Sequence, residues 1–228
     1  KAAEQRFNVQ SIADTFSCES LVVATGGLSI PKMGATPFGY KIAQQFGLNV
    51  TVTKAGLVPF TWQEADKQKF AVLSGLALPA RISYQQQSFT ENLLFTHRGL
   101  SGPVALQISS YWQEGAEIAV DLLPALDLQQ CLLNAQSEKV KLKLRNFLAQ
   151  YLAKKLIPLF IADNLLELFV LDLSHKQIAL ITEKIQNWQV KPNGTEGYRT
   201  AEATVGGVDC NAISSKTLQA NDVAGLYF

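Results

Sequence analysis

The sequence predicts an α/β domain interrupted by an α+β insert. Three observations support this fold class: a strand–helix–strand order in the first fifty residues, a change to short strands and then helices after Thr53, and a return to strands near the end. The run Leu21-Val22-Val23-Ala24 has no polar alternation, which is typical of a strand buried on both faces of a parallel sheet. Hydrophobic residues make up 47% of the 228-residue chain and charged residues 17%, enough apolar material for a core.

The first segment, residues 1–52, is predicted to contribute the first part of the α/β domain. Thr36 is a candidate N-cap, Pro37 suits the first helical position and Gly47 suits the C-cap. The helix they bound should lie between strands. Those strands are predicted at Phe7–Ser11, Ser17–Thr25 and Leu48–Val52.

Residues 53–200 are predicted to form the insert, which is β-rich over 53–125, helical over 126–188 and returns to strands over 189–200. Ser174 and Gln177 have the spacing of a capping box, and Pro158 should end a helix that begins near Lys143. The α/β domain should resume over 201–228. Within the insert, strands are predicted at Leu57–Trp62, Leu76–Tyr84, Ser88–Thr96 and Ala116–Leu122, and helices from Ser101 or Gly102 to Tyr111, from Asp127 to Ala135, from Lys143 to Leu156 and from Ser174 to Trp188.

Charge and composition argue against several function classes. The net charge is +1, from 20 basic and 19 acidic residues, so we expect neither a nucleic-acid partner nor a membrane surface. Three cysteines without a CxxC and two distant histidines indicate a reducing, cytoplasmic location and no metal site. A local basic run is interpreted as a solvated helix face or turn, with a binding patch as the alternative; its residues are Lys139, Lys141, Lys143 and Arg145.

Two glycine pairs follow predicted strands, in Val23-Ala24-Thr25-Gly26-Gly27 and in Ala203-Thr204-Val205-Gly206-Gly207. Small residues at the end of a strand let a ligand or another backbone come close, and they expose amide groups to a phosphate or a flavin edge. The alternative is a tight turn or a β-bulge that needs glycine only for its backbone angles. The residues alone leave both interpretations open.

A third segment, Phe95-Thr96-His97-Arg98-Gly99-Leu100-Ser101-Gly102-Pro103, joins a predicted strand to a helix start. His97 and Arg98 are the candidates for contacts with a substrate, because they combine ionisable side chains with a glycine-rich turn. The alternative is structural: Ser101 caps the helix and Gly99 makes the turn. A serine hydrolase is disfavoured because Pro103 breaks the GxSxG pattern.

In these segments the chain resembles the BaiN/YhiN-type bacterial NAD(P)/FAD-dependent oxidoreductases. The resemblance rests on an ordered set of motifs: Leu21 to Gly27 with the following Pro31 and Gly34 to Tyr40, Leu57-Val58-Pro59, Phe95 to Pro103 with Leu106 to Ser109, Ala203 to Val208, and Gly225 to Phe228. It implies a partial two-dinucleotide-type FAD-binding domain with a partly barrel-like β-rich insert and a helical subdomain. It also implies that a GxGxxG loop precedes Lys1 and that flavin-lining residues follow Phe228, so we expect an internal fragment.

The resemblance further implies where the cofactor binds. Thr25, Gly26 and Gly27 would lie near FAD, and Gly206, Gly207 and Val208 near its isoalloxazine ring. One departure is Pro37, which has no backbone N–H and therefore removes one possible amide contact.

The expected function is FAD-dependent hydride or electron transfer to a small-molecule substrate, with NAD(P)H as a possible donor. The insert is expected to close a substrate pocket over the flavin. Two alternatives remain. One is a binding or regulatory protein that keeps the flavoprotein scaffold without turnover, and the other is a plain nucleotide-binding module.

Overall fold

The computed structural model describes residues 6–228 and divides them into two compact units. The two-segment unit consists of residues 6–55 and Gly197–Phe228, and the continuous unit consists of Gly56–Glu196. The strands are β1 Phe7–Gln10, β2 Thr15–Cys18, β3 Leu21–Val22, β4 Lys54–Gly56, β5 Phe60–Thr61, β6 Ala77–Tyr84, β7 Gln87–Phe95, β8 Leu100–Ser101, β9 Ile118–Asp121, β10 Trp188–Val190, β11 Gly194–Thr195, β12 Ala203–Val205 and β13 Leu226–Tyr227. The α-helices are α1 Phe38–Gln45, α2 Glu64–Phe70, α3 Pro103–Ser109, α4 Leu128–Ser137, α5 Leu144–Leu148, α6 Ile157–Phe160, α7 Asp163–Leu166 and α8 His175–Gln186.

The two-segment unit contains three strand pairs. β1 and β2 form an antiparallel hairpin, β3 and β13 run parallel, and β4 pairs with β12. The parallel pair brings together segments from opposite ends of the chain, with Leu21 opposite Leu226. A small apolar core lies beneath them, formed by Phe7, Ala43, Leu48, Ala220 and Leu226.

Several elements of this unit differ from the sequence-based expectation. The strand expected to be buried on both faces is only two residues long, and Val22 is 66% exposed because no further element among the described residues covers that face. Helix α1 begins at Phe38, and Pro37 takes the N-cap position. The strand expected over 48–52 is reduced to one bridge, between Val50 and Val208.

The continuous unit is built on a five-stranded antiparallel sheet with the order β10-β9-β6-β7-β8. Its central hairpin pairs Ala77–Tyr84 with Gln87–Phe95, as the sequence predicts. Gln85, with φ +50°, turns the chain between the two strands. Alternate residues of β6, Ala80 and Ile82 among them, are fully buried, so one face of the sheet supplies the core.

Helices α4 to α8 lie between strands β9 and β10 in sequence and pack on the core of the sheet. Asp127 caps α4 by accepting from the Gln130 N–H, and Ser174 and Gln177 form the predicted capping box of α8. The single helix predicted over Lys143–Leu156 is wrong. Helix α5 ends at Leu148, and Pro158 lies in the first turn of α6, a position where its missing N–H costs no hydrogen bond.

A group of five aromatic side chains joins the sheet to the helical part of the continuous unit. Phe95 and Trp188 stack with ring centroids 6.2 Å apart, and the Phe160 ring meets Trp188 edge-on at 4.9 Å. Trp62 and Phe70 complete the group. Edge-on and offset rings are the favoured arrangements, so this group adds directional contacts to the apolar burial. Within residues 6–228, no helix is long and apolar enough to cross a membrane.

Candidate functional site

The first glycine pair lies on a concave surface of about 300 Å³ in the two-segment unit. At Gly26 and Gly34 the backbone has φ +71° and +93°, and no atom lies within 4 Å of where a Cβ would stand. The backbone there is therefore open to an approaching group. Its lining is almost entirely small or flexible: Thr25, Gly26, Gly27, Ser29, Ile30, Met33, Gly34 and Ala35.

The hydroxyl of Thr204 supports this turn from a strand 176 residues away. Thr204 Oγ1 accepts from the Leu28 N–H at 2.9 Å and lies 3.0 Å from Ser29 Oγ. A Cβ at Gly27 would stand only 2.6 Å from the same oxygen. The structure thus brings the first and third sequence segments together, and Gly27 is needed for the chain to pack on itself.

The second glycine pair is also packed against the chain. A Cβ at Gly206 would overlap the Val52 carbonyl oxygen, and one at Gly207 would lie 3.3 Å from the Tyr40 ring. The Thr51 N–H donates to the Gly207 carbonyl at 2.7 Å, and the Gly207 N–H donates to Thr51 Oγ1 at 3.0 Å. These contacts favour the turn interpretation of Gly206 and Gly207. They leave the predicted cofactor contacts of these residues and of Val208 as predictions.

A larger cleft, of about 540 Å³, lies along β3 in the same unit. Its lining is largely apolar and also includes the polar residues Arg6, Asn8, Gln10, Thr25 and Gln45. Thr25 lines both this cleft and the concave surface of the glycine turn. An apolar cleft beside an open, amide-rich turn fits a cofactor that has a planar ring and a phosphate. The apolar lining residues are Phe7, Val9, Leu21, Val22, Val23, Phe38, Ile42 and Phe46.

The segment Phe95–Pro103 is a tightly bonded turn in the continuous unit. Thr96 Oγ1 accepts from the N–H groups of Arg98 and Gly99, and the Gly99 carbonyl accepts from the Thr96 N–H at 2.9 Å. A Cβ at Gly99 would overlap the Phe60 carbonyl, and one at Gly102, where φ is +85°, would stand 2.5 Å from the Asn92 oxygen. Most of this motif is therefore explained by packing.

The three polar candidates of the segment have different surroundings. Ser101 belongs to β8, and helix α3 has Gly102 at its N-cap without a side-chain cap. Of the two expected capping residues, Gly102 is therefore confirmed and Ser101 is wrong. His97 and Arg98 are both exposed. Arg98 Nη1 lies 3.1 Å from Glu196 Oε2, whose side chain is only 10% exposed. A substrate contact by His97 or Arg98 stays a prediction.

Sequence reasoning missed the residues that brace the glycine turns. Thr204 and Thr51 hold the two glycine pairs, and Tyr40 packs on Gly207. The sequence does show Thr204 two residues before the second glycine pair. Its hydrogen-bond partner, the Leu28 N–H, is 176 residues away, so the sequence alone could not reveal the contact. No group of three or more His, Cys, Asp or Glu side chains over the described range is placed to hold a metal ion.

The basic run of the continuous unit is partly neutralised. Lys143 Nζ lies 2.7 Å from Glu167, and Arg145 Nη2 lies 3.2 Å from both Glu167 and Asp163. The hydrogen bond and positive charge of Lys143 lower the pKa of the Glu167 carboxyl, and those of Arg145 lower it further. Lys139 and Lys141 are exposed and, among the described residues, have no carboxylate within ion-pair distance.

Comparison with known proteins adds three relatives. The chain is 50% identical to the ribosomal RNA dihydrouridine synthase of Escherichia coli strain K12, over 99% of this chain and 57% of that protein. It is 47% identical to the enzyme of the same name from Haemophilus influenzae, over 98% and 56%. It is 24% identical to the 3-dehydro-bile acid delta(4,6)-reductase of Clostridium scindens, over 100% and 59%. The chain thus spans little more than half the length of these relatives.

These relatives overturn two expectations. The predicted small-molecule oxidoreductase is wrong, because the two relatives near 50% identity are named for a reaction on ribosomal RNA. The expected absence of a nucleic-acid partner is wrong for the same reason. That expectation rested on a net charge of +1, which sums the whole chain, whereas RNA contact needs only a local basic surface.

The family is established independently over the larger part of the chain. Residues 54–203 match the family model described as HI0933-like protein barrel and H2TH domain. The match covers the continuous unit, in which α4 to α8 lie between two strands of the five-stranded sheet. It confirms the resemblance at the level of this broader family. The chain therefore belongs to the HI0933-like protein family, with its barrel and H2TH domain.

Proposed function

We propose that this chain is part of a flavin-dependent enzyme that reduces uridine in ribosomal RNA to dihydrouridine. The observation that carries the proposal is the 50% identity with the Escherichia coli ribosomal RNA dihydrouridine synthase over 99% of the chain. The finer elements of the proposal are FAD as the flavin, NAD(P)H as the electron source, and a cytoplasmic location, since bacterial ribosomes are assembled there.

The reaction saturates the C5–C6 bond of the uracil ring. That bond is conjugated with the C4 carbonyl, so a hydride adds at C6 and the resulting enolate takes a proton at C5. The net change is two electrons and two protons per uridine. A reduced flavin supplies the hydride when bound, and the protein supplies position and electrostatics. Because C6 is inaccessible in a stacked helix, the target uridine must leave its stack.

In this proposal the two-segment unit supplies part of the FAD-binding domain. Thr25, Gly26 and Gly27 would bind the cofactor through exposed backbone amides on the turn that Thr204 supports. Gly206, Gly207 and Val208 would set the position of the ring through the backbone fixed by Thr51. What supports this is the open backbone at Gly26 beside an apolar cleft.

The continuous unit is proposed as the insert that meets the substrate. His97 and Arg98 would contact the RNA, since both are exposed and Arg98 offers planar N–H donors suited to phosphate. The Arg98–Glu196 ion pair would hold the guanidinium in one orientation.

The test is a nucleoside analysis of ribosomal RNA. The full-length protein is incubated anaerobically with NADPH or NADH and with ribosomal RNA from a strain that lacks its gene, and the digested RNA is examined by mass spectrometry. The expected product is a nucleoside heavier than uridine by two hydrogen atoms. Flavin that is bound but not reduced by NADH or NADPH, together with an absence of dihydrouridine, would favour the non-catalytic alternative. A colourless protein that does not take up added FAD would overturn the proposal that the enzyme depends on a flavin.

A matched pair of variants tests the cofactor contact at the glycine turn. Gly26 and Gly47 have similar φ values of +71° and +79°, and at neither position does an atom lie within 4 Å of where a Cβ would stand, so Gly26→Leu and Gly47→Leu strain the backbone equally. Only Gly26 lines the concave surface. Gly26→Leu should lower flavin occupancy at least about tenfold, the factor that corresponds to 1.4 kcal/mol of binding. Equal flavin content in both variants would contradict the assignment.

A further inference from the structure

We propose that the groove between α4 and α5 of the continuous unit binds a single-stranded segment of RNA. Its phosphates would contact Lys139 and Lys141 on one rim, and a base would stack on Tyr151. This inference rests on the proposed function, and it locates an RNA-binding surface that the relatives' names do not specify.

Helix α4 ends in a turn in which Lys139 adopts φ +56°, and the chain is extended just before α5, where Lys143 forms an antiparallel bridge with Phe169. The Val170 N–H donates to the Leu142 carbonyl and the Leu144 N–H to the Leu168 carbonyl, which fixes the strand-like backbone. Val140 and Leu142 face the groove, and Lys139 and Lys141 are exposed beside them. Lys139 and Lys141 thus flank Val140, an apolar wall residue of the groove, and both lysine side chains are accessible from solvent.

Within the described residues, ion pairs divide the basic run, Lys139 to Arg145, into a paired half and an unpaired half. Lys143 and Arg145 are paired with Glu167 and Asp163, so their charges are satisfied within the protein. For Lys139 and Lys141, by contrast, the described residues provide no ion pair. These two cations are accessible to an anion from outside, and the exposed Lys154 and Lys155 add positive charge after Tyr151 in sequence.

The groove itself has the chemistry of a nucleobase site. It has a volume of about 310 Å³ and combines apolar walls with the amides of Asn134 and Gln150. Tyr151 is 41% exposed and its ring lies 5.7 Å from that of the buried Phe147, which supports it from one side. A supported, half-exposed aromatic ring beside hydrogen-bonding amides and cations is the arrangement with which proteins hold unpaired bases.

One acidic residue works against RNA binding here. Glu138 lines the groove next to Lys139 and would repel a phosphate. Substitutions of Glu138 and of the lysines should therefore change RNA affinity in opposite directions. Removing that charge should strengthen RNA binding, whereas removing the lysines should weaken it.

The experiment measures RNA binding by the full-length protein across a salt series. The probes are a short single-stranded RNA of mixed sequence and deproteinised ribosomal RNA. The variants are Lys139→Ala with Lys141→Ala, Tyr151→Ala, Tyr151→Phe and Glu138→Gln. The control is Lys176→Ala with Lys184→Ala, which removes the same charge from exposed positions on α8. All altered side chains are exposed, so the fold should be kept.

The double variant Lys139→Ala, Lys141→Ala should reduce the slope of log affinity against log salt, relative to the control. The expected reduction is about 0.7 for each phosphate that the protein no longer neutralises. Tyr151→Ala should lower the affinity for RNA about tenfold, whereas Tyr151→Phe should keep the wild-type affinity, because a phenyl ring still stacks on a base. Glu138→Gln should bind more tightly at low salt.

Equal affinity and equal salt slope for the Lys139, Lys141 double variant and its control would overturn the groove as the binding surface. Wild-type protein that makes dihydrouridine while all groove variants bind RNA normally would overturn only this inference. Wild-type protein that binds neither probe at any salt concentration would overturn the proposed function together with it.

Discussion

Ser109 Oγ lies 2.9 Å from the Val58 backbone nitrogen and accepts its hydrogen bond, while donating to the Leu106 carbonyl at 2.7 Å. Ser109 is 2% exposed and lies at the end of α3. The neighbouring Ser110 Oγ accepts from the Leu57 N–H, and Leu57 adopts φ +47°, a costly angle for a branched residue. The two hydroxyls thus fix the backbone at the start of the continuous unit.

Ser109→Ala should destabilise the protein by about 1–3 kcal/mol, because the buried Val58 N–H loses its acceptor. Ser137→Ala is the matched control. Ser137 donates an equivalent bond to the Asn134 carbonyl but is exposed, so its loss should cost under about 0.5 kcal/mol. Urea denaturation of both variants measures the difference. Equal losses would show that the Val58 N–H finds another partner.

Gly206→Ala should cost more than Gly47→Ala. Both glycines have a positive φ, +84° and +79°, so both variants carry a strain of about 1–2 kcal/mol. At Gly206 the new Cβ would also overlap the Val52 carbonyl, whereas at Gly47 it meets nothing within 4 Å. We expect at least about 1 kcal/mol of additional loss from this overlap. Thermal denaturation provides the comparison, and equal melting temperatures would contradict it.

Asp121 is expected to make stability depend on pH in a defined direction. Burial raises the pKa of its carboxyl, opposed by the Leu123 N–H, Gln186 and the charge of Arg81. Because the folded-state pKa is the higher one, the folded protein binds the proton more tightly, and this contribution to stability is lost as the pH rises through the folded-state pKa. Asp121→Asn should therefore gain stability relative to wild type at neutral pH and lose that gain in acid.

The measurement for Asp121 is a melting-temperature series on wild type and Asp121→Asn, from below the ordinary carboxyl pKa of 3.8 to neutral pH. Asp163→Asn serves as an exposed control. A difference between wild type and Asp121→Asn that is constant across the series would show that this carboxyl is not linked to folding.

Arg98→Ala should remove the ion pair with Glu196 at a cost of about 0.2–1 kcal/mol, since the Arg98 side chain is 46% exposed. Lys67→Ala, which removes a more exposed pair with Glu64 at 3.7 Å, should cost less. The proposed RNA contact adds a second measurement. Arg98→Ala and His97→Ala should both raise KM for ribosomal RNA, and an unchanged KM would remove both residues from the proposed site.

Local elements with their own signals could be predicted from the sequence. The capping box at Ser174 and Gln177, the N-cap at Asp127 and the hairpin around Gln85 all form as expected, because each depends on residues within a few positions. The helix expected from Lys143 to Leu156 failed. Its residues have helical propensity throughout, but the burial of Leu148, Leu152 and Leu156 is achieved by short helices joined by turns.

Local elements, the ordered motifs and therefore the family all follow from the sequence alone. The structural role of the glycine pairs became visible only in three dimensions. Thr204 binds Leu28, directly after the first pair, across 176 residues, and Thr51 binds Gly207 of the second pair across 156. The same holds for which half of the basic run remains accessible to a partner, because Glu167 neutralises Lys143 from a distant segment. The physical reason is the same in each case. Steric overlap and charge pairing act between atoms within a few ångströms, whatever their separation along the chain.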